Sequence, residues 1–271
     1  MAVTLLLAGG GKMGGALLEG WLAQGTPAEN IAAIEPNPET ARLLADRTGI
    51  RALEAVDRIP PGFCPDVVIF AVKPQAMDDV APAYKRFAEG ATVFLSIAAG
   101  KNLMSFESLL GADAAVVRAM PNTPAAIRRG ITVACANARV GPERQQLCHG
   151  LLEAVGEVHW VEDEGLLDAV TALSGGGPAY VFLLVECLAQ AGVDAGLPRD
   201  LAERLARVTV SGAGELLACS EDPPDLLRRN VTSPGGTTAE ALKILMAEDG
   251  WQPLVNRAIA AAAARSRQLA G

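Results

Sequence analysis

Short apolar runs alternate with amphipathic stretches over roughly the first 160 residues of the chain. Strands are predicted at residues 3–8, 31–34, 50–53, 66–72, 92–97, 114–119, 130–135 and 156–161, and the runs at 3–8 and 66–72 have the composition of buried strands. Helical patterns lie between the strands, from Met13 onward and at residues 38–48, 77–88, 103–110 and 142–155. Strands that alternate with helices indicate a parallel, doubly wound sheet.

The pattern changes after Asp163, beyond which no convincing strand is found. Helices are predicted at residues 165–173, 179–192, 199–217, 224–229, 237–248 and 252–269. The stretch Val181–Val185 has no polar side, and a helix that is apolar nearly all round is buried. We expect another subunit to bury it, so the helical part should support a dimer.

A glycine-rich turn joins the first strand to the first helix. Gly9, Gly11 and Gly14 form the pattern G-x-G-x-x-G, here in the strand–turn–helix context that is typical of dinucleotide binding. The first glycine permits a tight turn, the second lets a pyrophosphate approach the backbone, and the third allows close helix packing. Lys12 and Met13 join these glycines as candidate cofactor contacts. The alternative is a glycine-rich turn without a ligand.

A carboxylate that could bind ribose follows the second strand. Glu35 lies 21 positions after Gly14, about where a dinucleotide-binding unit places its ribose acceptor. The alternative is a solvated loop charge. Because a carboxylate repels a 2′-phosphate, Glu35 favours NADH over NADPH, whereas the cation Lys12 would offset this repulsion. We therefore expect NADH or NADPH as cofactor, with a preference for NADH.

The loops that follow the buried strands are the expected place for the rest of the cofactor, because ligands bind beyond the carboxyl ends of such strands. The candidate cofactor contacts in these loops are Ala71, Val72, Lys73, Pro74, Ala98 and Asn122. Asn122 lies between two prolines, which restrict its loop. Its side chain is expected to shape the loop, to contact a ligand, or to do both.

These observations predict an α/β protein with two domains. Residues 1–164 should form a dinucleotide-binding domain with a Rossmann-type doubly wound parallel sheet. Residues 165–271 should form an all-helical domain for substrate binding and dimerisation.

Two glycine-bearing turns lead into helices of the second domain. At residues 230–238, Ser233 is a candidate N-cap, and Gly235 and Gly236 remove side chains where the backbone turns. Free N–H groups around Gly236, Thr237 and Thr238 would suit a small carboxylate. At residues 174–180, three glycines precede Pro178, which fits the first turn of a helix. An ordinary helix start is the alternative at both turns.

These motifs resemble those of pyrroline-5-carboxylate reductases. The resemblance is carried by the glycine turn and by the segments Val72–Gln75, Met120–Pro124, Ser174–Tyr180 and Val231–Thr238. The chain departs from the family pattern at Gly176, where the family has serine, and at Lys12, where it usually has asparagine. The resemblance covers essentially the whole chain in order.

The resemblance implies NAD(P)H-dependent reduction of 1-pyrroline-5-carboxylate to proline, the last step of proline synthesis. It also implies a helical domain that interlocks between subunits, giving a homodimer and often a larger ring of dimers. The substrate carboxylate and ring would be bound by Ser233, Gly235, Gly236, Thr237, Thr238, Gly176 and Asn122. Thr238 is the candidate catalytic residue, through a hydrogen bond to the imine region.

The amino-acid types present in the helical half fit an imine better than a ketone. Ketone reduction needs a proton donor, commonly Lys or His, yet this half contains one lysine, Lys243, and no histidine. A cyclic imine can be protonated on its own nitrogen, so it needs mainly positioning, an anion site and a dry pocket. The alternatives are a reductase of another small keto or imino acid and a non-catalytic nucleotide-binding regulatory protein.

Composition excludes several other classes. The formal net charge of −8 argues against nucleic-acid binding. Five scattered cysteines and two histidines make no zinc site and fit free thiols in a reducing compartment. No signal sequence is evident, and no segment approaches the roughly 18 apolar residues of a membrane span. We therefore expect no metal, no membrane association and a cytoplasmic location.

Overall fold

A computed structural model describes residues 3–270, except for the side chain of residue 270. Eight strands form one sheet, and they are β1 (Leu5–Ala8), β2 (Ile31–Ile34), β3 (Arg51–Leu53), β4 (Val67–Phe70), β5 (Val93–Ser96), β6 (Ala115–Met120), β7 (Gly130–Ala136) and β8 (Gly156–Trp160). Their spatial order is β3-β2-β1-β4-β5-β6-β7-β8. The direction of winding reverses at β1, as in a doubly wound sheet.

The first six strands are parallel, as predicted, and the last two run in the opposite direction. Strand β7 pairs antiparallel with β6, whereas β8 is parallel to β7. The connection from β6 to β7 contains one short 3-10 segment, Thr123–Ile127. A parallel pairing needs a longer crossover, usually with a helix. The prediction of a parallel sheet is therefore confirmed for six strands and corrected at this edge.

Helices cover both faces of the sheet, and they are α1 (Lys12–Ala23), α2 (Pro38–Thr48), α3 (Met77–Val80), α4 (Leu103–Leu110) and α5 (Pro142–Glu153). Leu5 and Leu7 belong to one buried cluster and Leu6 to another, because successive strand side chains point to opposite faces. Trp21 is fully buried in the first cluster, and its indole N–H donates to the Leu151 carbonyl at 2.8 Å.

One predicted helix differs in type. The sequence pattern predicts an α-helix over residues 77–88, but α3 ends at Val80 and a 3-10 segment, Ala81–Phe87, follows it. Pro82 explains the difference, since it has no N–H to donate to the preceding turn.

The rest of the chain is helical, as predicted. Its helices are α6 (Leu166–Val170), a π-helical turn (Thr171–Gly175), α7 (Gly177–Asp194), α8 (Arg199–Cys219), α9 (Pro224–Asn230), α10 (Thr237–Leu245) and α11 (Trp251–Ala270). Helices α7 and α8 pack closely at Gly192, where the absence of a side chain leaves room for Ala202. A Cβ added at Gly192 would lie only 3.1 Å from the Ala202 Cβ.

The chain divides into two compact units. The first comprises the described residues up to Gly175 and from Ala262 onward, and the second is residues 176–261. Within the first unit, the hydroxyl of Ser266 on α11 donates to the Asp168 carboxylate at 2.6 Å. This contact helps to explain why the end of α11 belongs with the sheet. The functional domains 1–164 and 165–271 stay a prediction.

Large apolar side chains are exposed on the second unit. Phe182 and Leu183 on α7 are 62% and 57% exposed, and Val208 on α8 is 56% exposed. Exposed apolar clusters of this kind mark interaction surfaces. By length and composition the segment Leu166–Asp194 is also apolar enough to span a membrane, with a mean hydropathy of 1.4. Apolar helices of oligomeric proteins meet the same test, so this is weak support for a membrane span.

Candidate active site

The glycine turn between β1 and α1 is shaped by close backbone approaches. Gly9 has a φ of 100°, which favours glycine. A Cβ at Gly9 would lie 2.8 Å from the Ala71 carbonyl oxygen, and one at Gly14 would collide with the Gly9 carbonyl oxygen. The first and third glycines therefore have the geometry that the sequence pattern predicts.

Gly11 differs from its neighbours because no atom lies within 4 Å of a Cβ added there. It is the N-cap of α1, and the N–H groups of Lys12 and Met13 have no acceptor within residues 3–270. Free N–H groups at a helix N-terminus attract anions. The turn thus combines an open backbone with unpaired donors, which fits a pyrophosphate group.

The Glu35 carboxylate is bound to this turn. One oxygen accepts the Gly10 N–H at 3.0 Å, and the other accepts the Asn37 N–H at 3.2 Å. Glu35 is therefore not a solvated loop charge, because it links the end of β2 to the glycine turn. Each carboxylate oxygen has a second lone pair for a further donor, and the ribose-binding role of Glu35 stays a prediction.

A cavity of about 290 Å³ adjoins the turn and includes Lys12 and Arg47 in its lining. Arg47 forms an ion pair with Glu19 at 3.1 Å, and both side chains are more than half exposed. Arg47 is a second cation near the turn that the sequence analysis did not place there.

The predicted cofactor contacts after β4 and β5 lie at the same edge of the sheet as the glycine turn. Register places Ala8 opposite Phe70 and Phe70 opposite Ser96. Ala71 donates its N–H to the Ala8 carbonyl at 2.8 Å. The remaining predicted contacts in these loops are Val72, Lys73, Pro74 and Ala98, and the Lys73 side chain is exposed.

Asn122 follows β6 and is only 9% exposed. The side-chain oxygen Oδ1 of Asn122 accepts the Ile131 N–H at 3.0 Å. The side-chain nitrogen Nδ2 donates to the Ser174 carbonyl at 3.3 Å. The side chain therefore shapes the loop, which was one of the two predicted roles. A ligand contact stays a prediction.

A partly buried ion pair that the sequence pattern does not predict lies beside these loops. Arg118 on β6 is 5% exposed and donates to the Glu164 carboxylate at 2.9 Å. The same oxygen accepts the Leu103 N–H at 2.8 Å, at the start of α4. Burial, with the Glu164 charge as a further cause, raises the pKa of the nearby Cys135 thiol. The arginine within an otherwise apolar strand was the one feature of the sequence that could have indicated this ion pair.

The turn before α10 in the second unit offers the donors predicted for a carboxylate. Gly235 has a φ of 69°, and the N–H groups of Thr237 and Thr238 have no acceptor within the described residues. Both threonine side chains are exposed. The prediction that Ser233 is the N-cap is wrong. Gly236 holds that position, and the Ser233 carbonyl accepts the Gly236 N–H at 3.0 Å.

The second predicted turn precedes α7. Gly176 is the N-cap, and Pro178 lies in the first turn, as the sequence predicts. The Gly176 carbonyl accepts the Ala179 N–H at 3.0 Å. Gly176 and the residues of the α10 turn belong to the second unit, whereas Asn122 and the glycine turn belong to the first.

Metal ligands and cysteines add no further site. No group of three or more His, Cys, Asp or Glu residues in the described part of the chain could hold a metal ion. All five cysteines are free. Burial raises the pKa of the Cys148 thiol to about 12, so this thiol is unreactive near neutral pH.

Family models match both parts of the chain. The model described as pyrroline-5-carboxylate reductase dimerisation matches residues 164–269, and one described as NADP oxidoreductase, coenzyme F420-dependent, matches residues 3–100. A pyrroline-5-carboxylate reductase from Pseudomonas aeruginosa is 42% identical, over 97% of this chain and 95% of the relative. One from Pisum sativum is 37% identical, over 98% and 96% of the two chains.

Solved structures are similar as well. A pyrroline-5-carboxylate reductase from Coxiella burnetii has a TM-score of 0.92 at 33% identity, over 100% of both chains. A Plasmodium falciparum pyrroline carboxylate reductase with NADP bound has a TM-score of 0.83 at 29% identity, over 99% of this chain and 98% of the other. The similarity therefore extends along the whole chain.

Substitutions at two glycines should separate cofactor binding from folding. In Gly11→Ala the new Cβ meets no protein atom, so we expect unchanged stability and a Kd for NADH raised roughly tenfold or more, about 1.4 kcal/mol. In Gly14→Ala the Cβ meets backbone, so we expect a loss of about 1–3 kcal/mol in the free energy of unfolding. Calorimetry and thermal unfolding measure the two effects. Equal cofactor affinity in Gly11→Ala and the wild type would contradict the pyrophosphate assignment.

Proposed function

Because the chain belongs to the pyrroline-5-carboxylate reductase family, we infer that it catalyses the NAD(P)H-dependent reduction of 1-pyrroline-5-carboxylate to L-proline, the final step of proline biosynthesis. The observation that carries this inference is the similarity to curated reductases along nearly the full length of the chain. Two features of the described chain support it: unpaired N–H groups at α1 and at α10. These suit the pyrophosphate of a cofactor and the carboxylate of a substrate, respectively.

The residues of the glycine turn fit a nicotinamide dinucleotide. Gly11, Lys12 and Met13 would hold the pyrophosphate through backbone N–H groups, while Gly9 and Gly14 keep the turn compact. Glu35 would accept from the adenosine ribose. The loops at 71–74 and Ala98, with Asn122, would line the nicotinamide end. When bound, the reduced nicotinamide supplies a hydride to the imine carbon.

The turn before α10 is the proposed carboxylate site. The N–H groups of Thr237 and Thr238 would donate to the substrate carboxylate, and the Thr237 hydroxyl adds a further donor. Ser233, Gly235 and Gly236 give the turn its shape, and Gly176 would contact the substrate through backbone. Thr238 is the proposed catalytic residue, because its hydroxyl would hydrogen-bond to the imine region.

The substrate supplies its own electrophilic activation in this proposal. The imine nitrogen is protonated before the hydride arrives, so hydride transfer gives the neutral amine directly. No side chain has to protonate an alkoxide, as one must in the reduction of a ketone. This fits a helical half with one lysine and no histidine. The chain's contribution is to hold the ring in place, bind its carboxylate and exclude water.

The match to a dimerisation family indicates that the protein oligomerises. We propose a homodimer formed through residues 165–271, with a higher ring of dimers as a further step. The exposed apolar side chains of α7 and α8 support this assignment. Free cysteines fit a cytoplasmic location.

A substrate panel tests the function directly. Oxidation of NADH and NADPH should be fast with 1-pyrroline-5-carboxylate and at least about 100-fold slower with 2-keto and 3-keto acids of similar size, since these lack a protonated nitrogen. Comparable rates with a keto acid would favour a different reductase. Cofactor binding without turnover of any substrate would favour a regulatory protein.

Thr238→Ala should lower kcat/KM for 1-pyrroline-5-carboxylate by about 10- to 100-fold, because a hydrogen bond to a charged group is worth about 1.5–3 kcal/mol. The Kd for NADH should stay unchanged. Thr238→Ser keeps the hydroxyl and should recover most of the activity. Steady-state kinetics measure both variants, and a near-wild-type kcat/KM in Thr238→Ala would refute the assignment.

The protein should not be a stable monomer, because α7 exposes Phe182 and Leu183 in the isolated chain. Light scattering at micromolar concentration should give the mass of a dimer or of a multiple of it. Phe182→Glu should shift the mass toward the monomer, because it would bury a charge in the interface. A monomer mass for the wild type would contradict the proposal.

The cofactor preference should depend on the Glu35 charge. We expect a higher kcat/KM with NADH than with NADPH, with measurable NADPH use because Lys12 and Arg47 lie near the turn. Glu35→Gln removes the charge and keeps an oxygen for the Gly10 N–H, so its selectivity should move toward NADPH. Glu35→Ser tests the loss of that bond as well. If the ratio of kcat/KM with NADH to kcat/KM with NADPH is unchanged in Glu35→Gln, the Glu35 charge does not select the cofactor and the side chain only shapes the turn.

A further inference from the structure

The carbonyl of Ser174 lacks its ordinary helical donor. In an α-helix this carbonyl would accept the N–H of the residue four positions later. That residue is Pro178, which has no N–H. The wider π-helical pattern would instead use the N–H of Ala179, but that group donates to the Gly176 carbonyl at 3.0 Å. Pro178 therefore denies the Ser174 carbonyl the donor of an ordinary α-helical turn, and the Ala179 N–H is used by Gly176.

Asn122 supplies the missing donor. Its amide nitrogen lies 3.3 Å from the Ser174 carbonyl oxygen, across 52 positions of sequence. The amide oxygen is held at the same time by the Ile131 N–H, at 3.0 Å. Because the residue is 9% exposed, water has little access to replace either bond. Ser174 itself is partly buried, and a partly shielded carbonyl that loses its donor carries a desolvation cost, so the local backbone depends on this side chain.

The Met120 side chain packs against the same stretch of backbone, beside this hydrogen bond. The end of the Met120 side chain lies 2.5 Å from the point where a Cβ at Gly175 would stand. Met120 and Asn122 thus both hold the Ser174–Gly175 backbone, one by contact and one by a hydrogen bond. Such π-helical turns are frequent at functional sites, and Gly176 follows directly.

We propose that Asn122 is a positioning residue that caps the Ser174 carbonyl left free by Pro178, and so fixes the backbone that leads to Gly176. The inference rests on the proposed function, in which Gly176 contacts the substrate. It explains how one side chain connects the loop after β6 to Ser174, 52 positions later. A role of this kind acts through Ser174 and needs no contact between Asn122 and a ligand.

A rescue experiment separates capping from ligand contact. Asn122→Ala should lower kcat by about 10- to 100-fold and speed hydrogen exchange of amides in residues 171–177. Pro178→Ala restores an N–H at position 178, which offers the Ser174 carbonyl its own helical donor. The double variant Asn122→Ala/Pro178→Ala should therefore recover slow exchange and at least about fivefold in kcat. Pro178→Ala alone measures the effect of losing the proline.

Asn122→Asp is the second variant, in case Asn122→Ala does not fold. The ionised carboxylate keeps an acceptor for the Ile131 N–H and cannot donate to Ser174, so exchange in residues 171–177, measured well above the ordinary pKa of an aspartate, should again be fast. A double variant no better than Asn122→Ala, or slow exchange in Asn122→Asp, would overturn the proposal. Wild-type turnover of 1-pyrroline-5-carboxylate in the same assay tests the proposed function separately, and the exchange data do not depend on that substrate.

Discussion

Backbone packing around the first glycine turn is the constraint on which the nucleotide-binding unit depends. No side chain fits at Gly9 or Gly14, because carbonyl oxygens occupy the space on both sides. The turn is therefore compact enough for α1 to begin at once, and the first N–H groups of α1 have no acceptor among residues 3–270. Glu35 joins the turn to the end of β2 through the Gly10 N–H. One carboxylate thus supports the turn and is also available for a ribose.

The second unit also contains a glycine turn that leads directly into the N-terminus of a helix. Before α10, glycine backbone again leads into a helix whose first N–H groups have no partner in the described part of the chain, here with two threonine hydroxyls beside them. Binding by oriented backbone donors costs little reorganisation when a charged group arrives. An enzyme built this way suits a substrate that carries both a carboxylate and an imine nitrogen, since it needs few ionisable side chains of its own. The scarcity of lysine and histidine in residues 165–271 follows from the same chemistry.

The sequence was sufficient wherever local pattern decides structure. Strand β2 and helices α2 and α4 have the predicted bounds, since apolar period and caps are local signals. The sequence was insufficient where the structure depends on residues far apart in the chain or on the position of a single backbone group. The partners of Asn122 lie 9 and 52 positions away, and the Arg118–Glu164 pair spans 46 positions. Ser233 was assigned as a cap from its residue type, but the backbone places Gly236 there.

The central claim is that hydride is transferred to the carbon of a C=N bond. The most direct measurement uses NADH or NADPH that carries deuterium at C4 of the nicotinamide, on either face, with 1-pyrroline-5-carboxylate. The account predicts L-proline with one deuterium on the δ-carbon, from one of the two labelled forms, with one oxidised cofactor formed for each proline. Proline without deuterium from both labelled forms, or cofactor oxidation without proline, would contradict it.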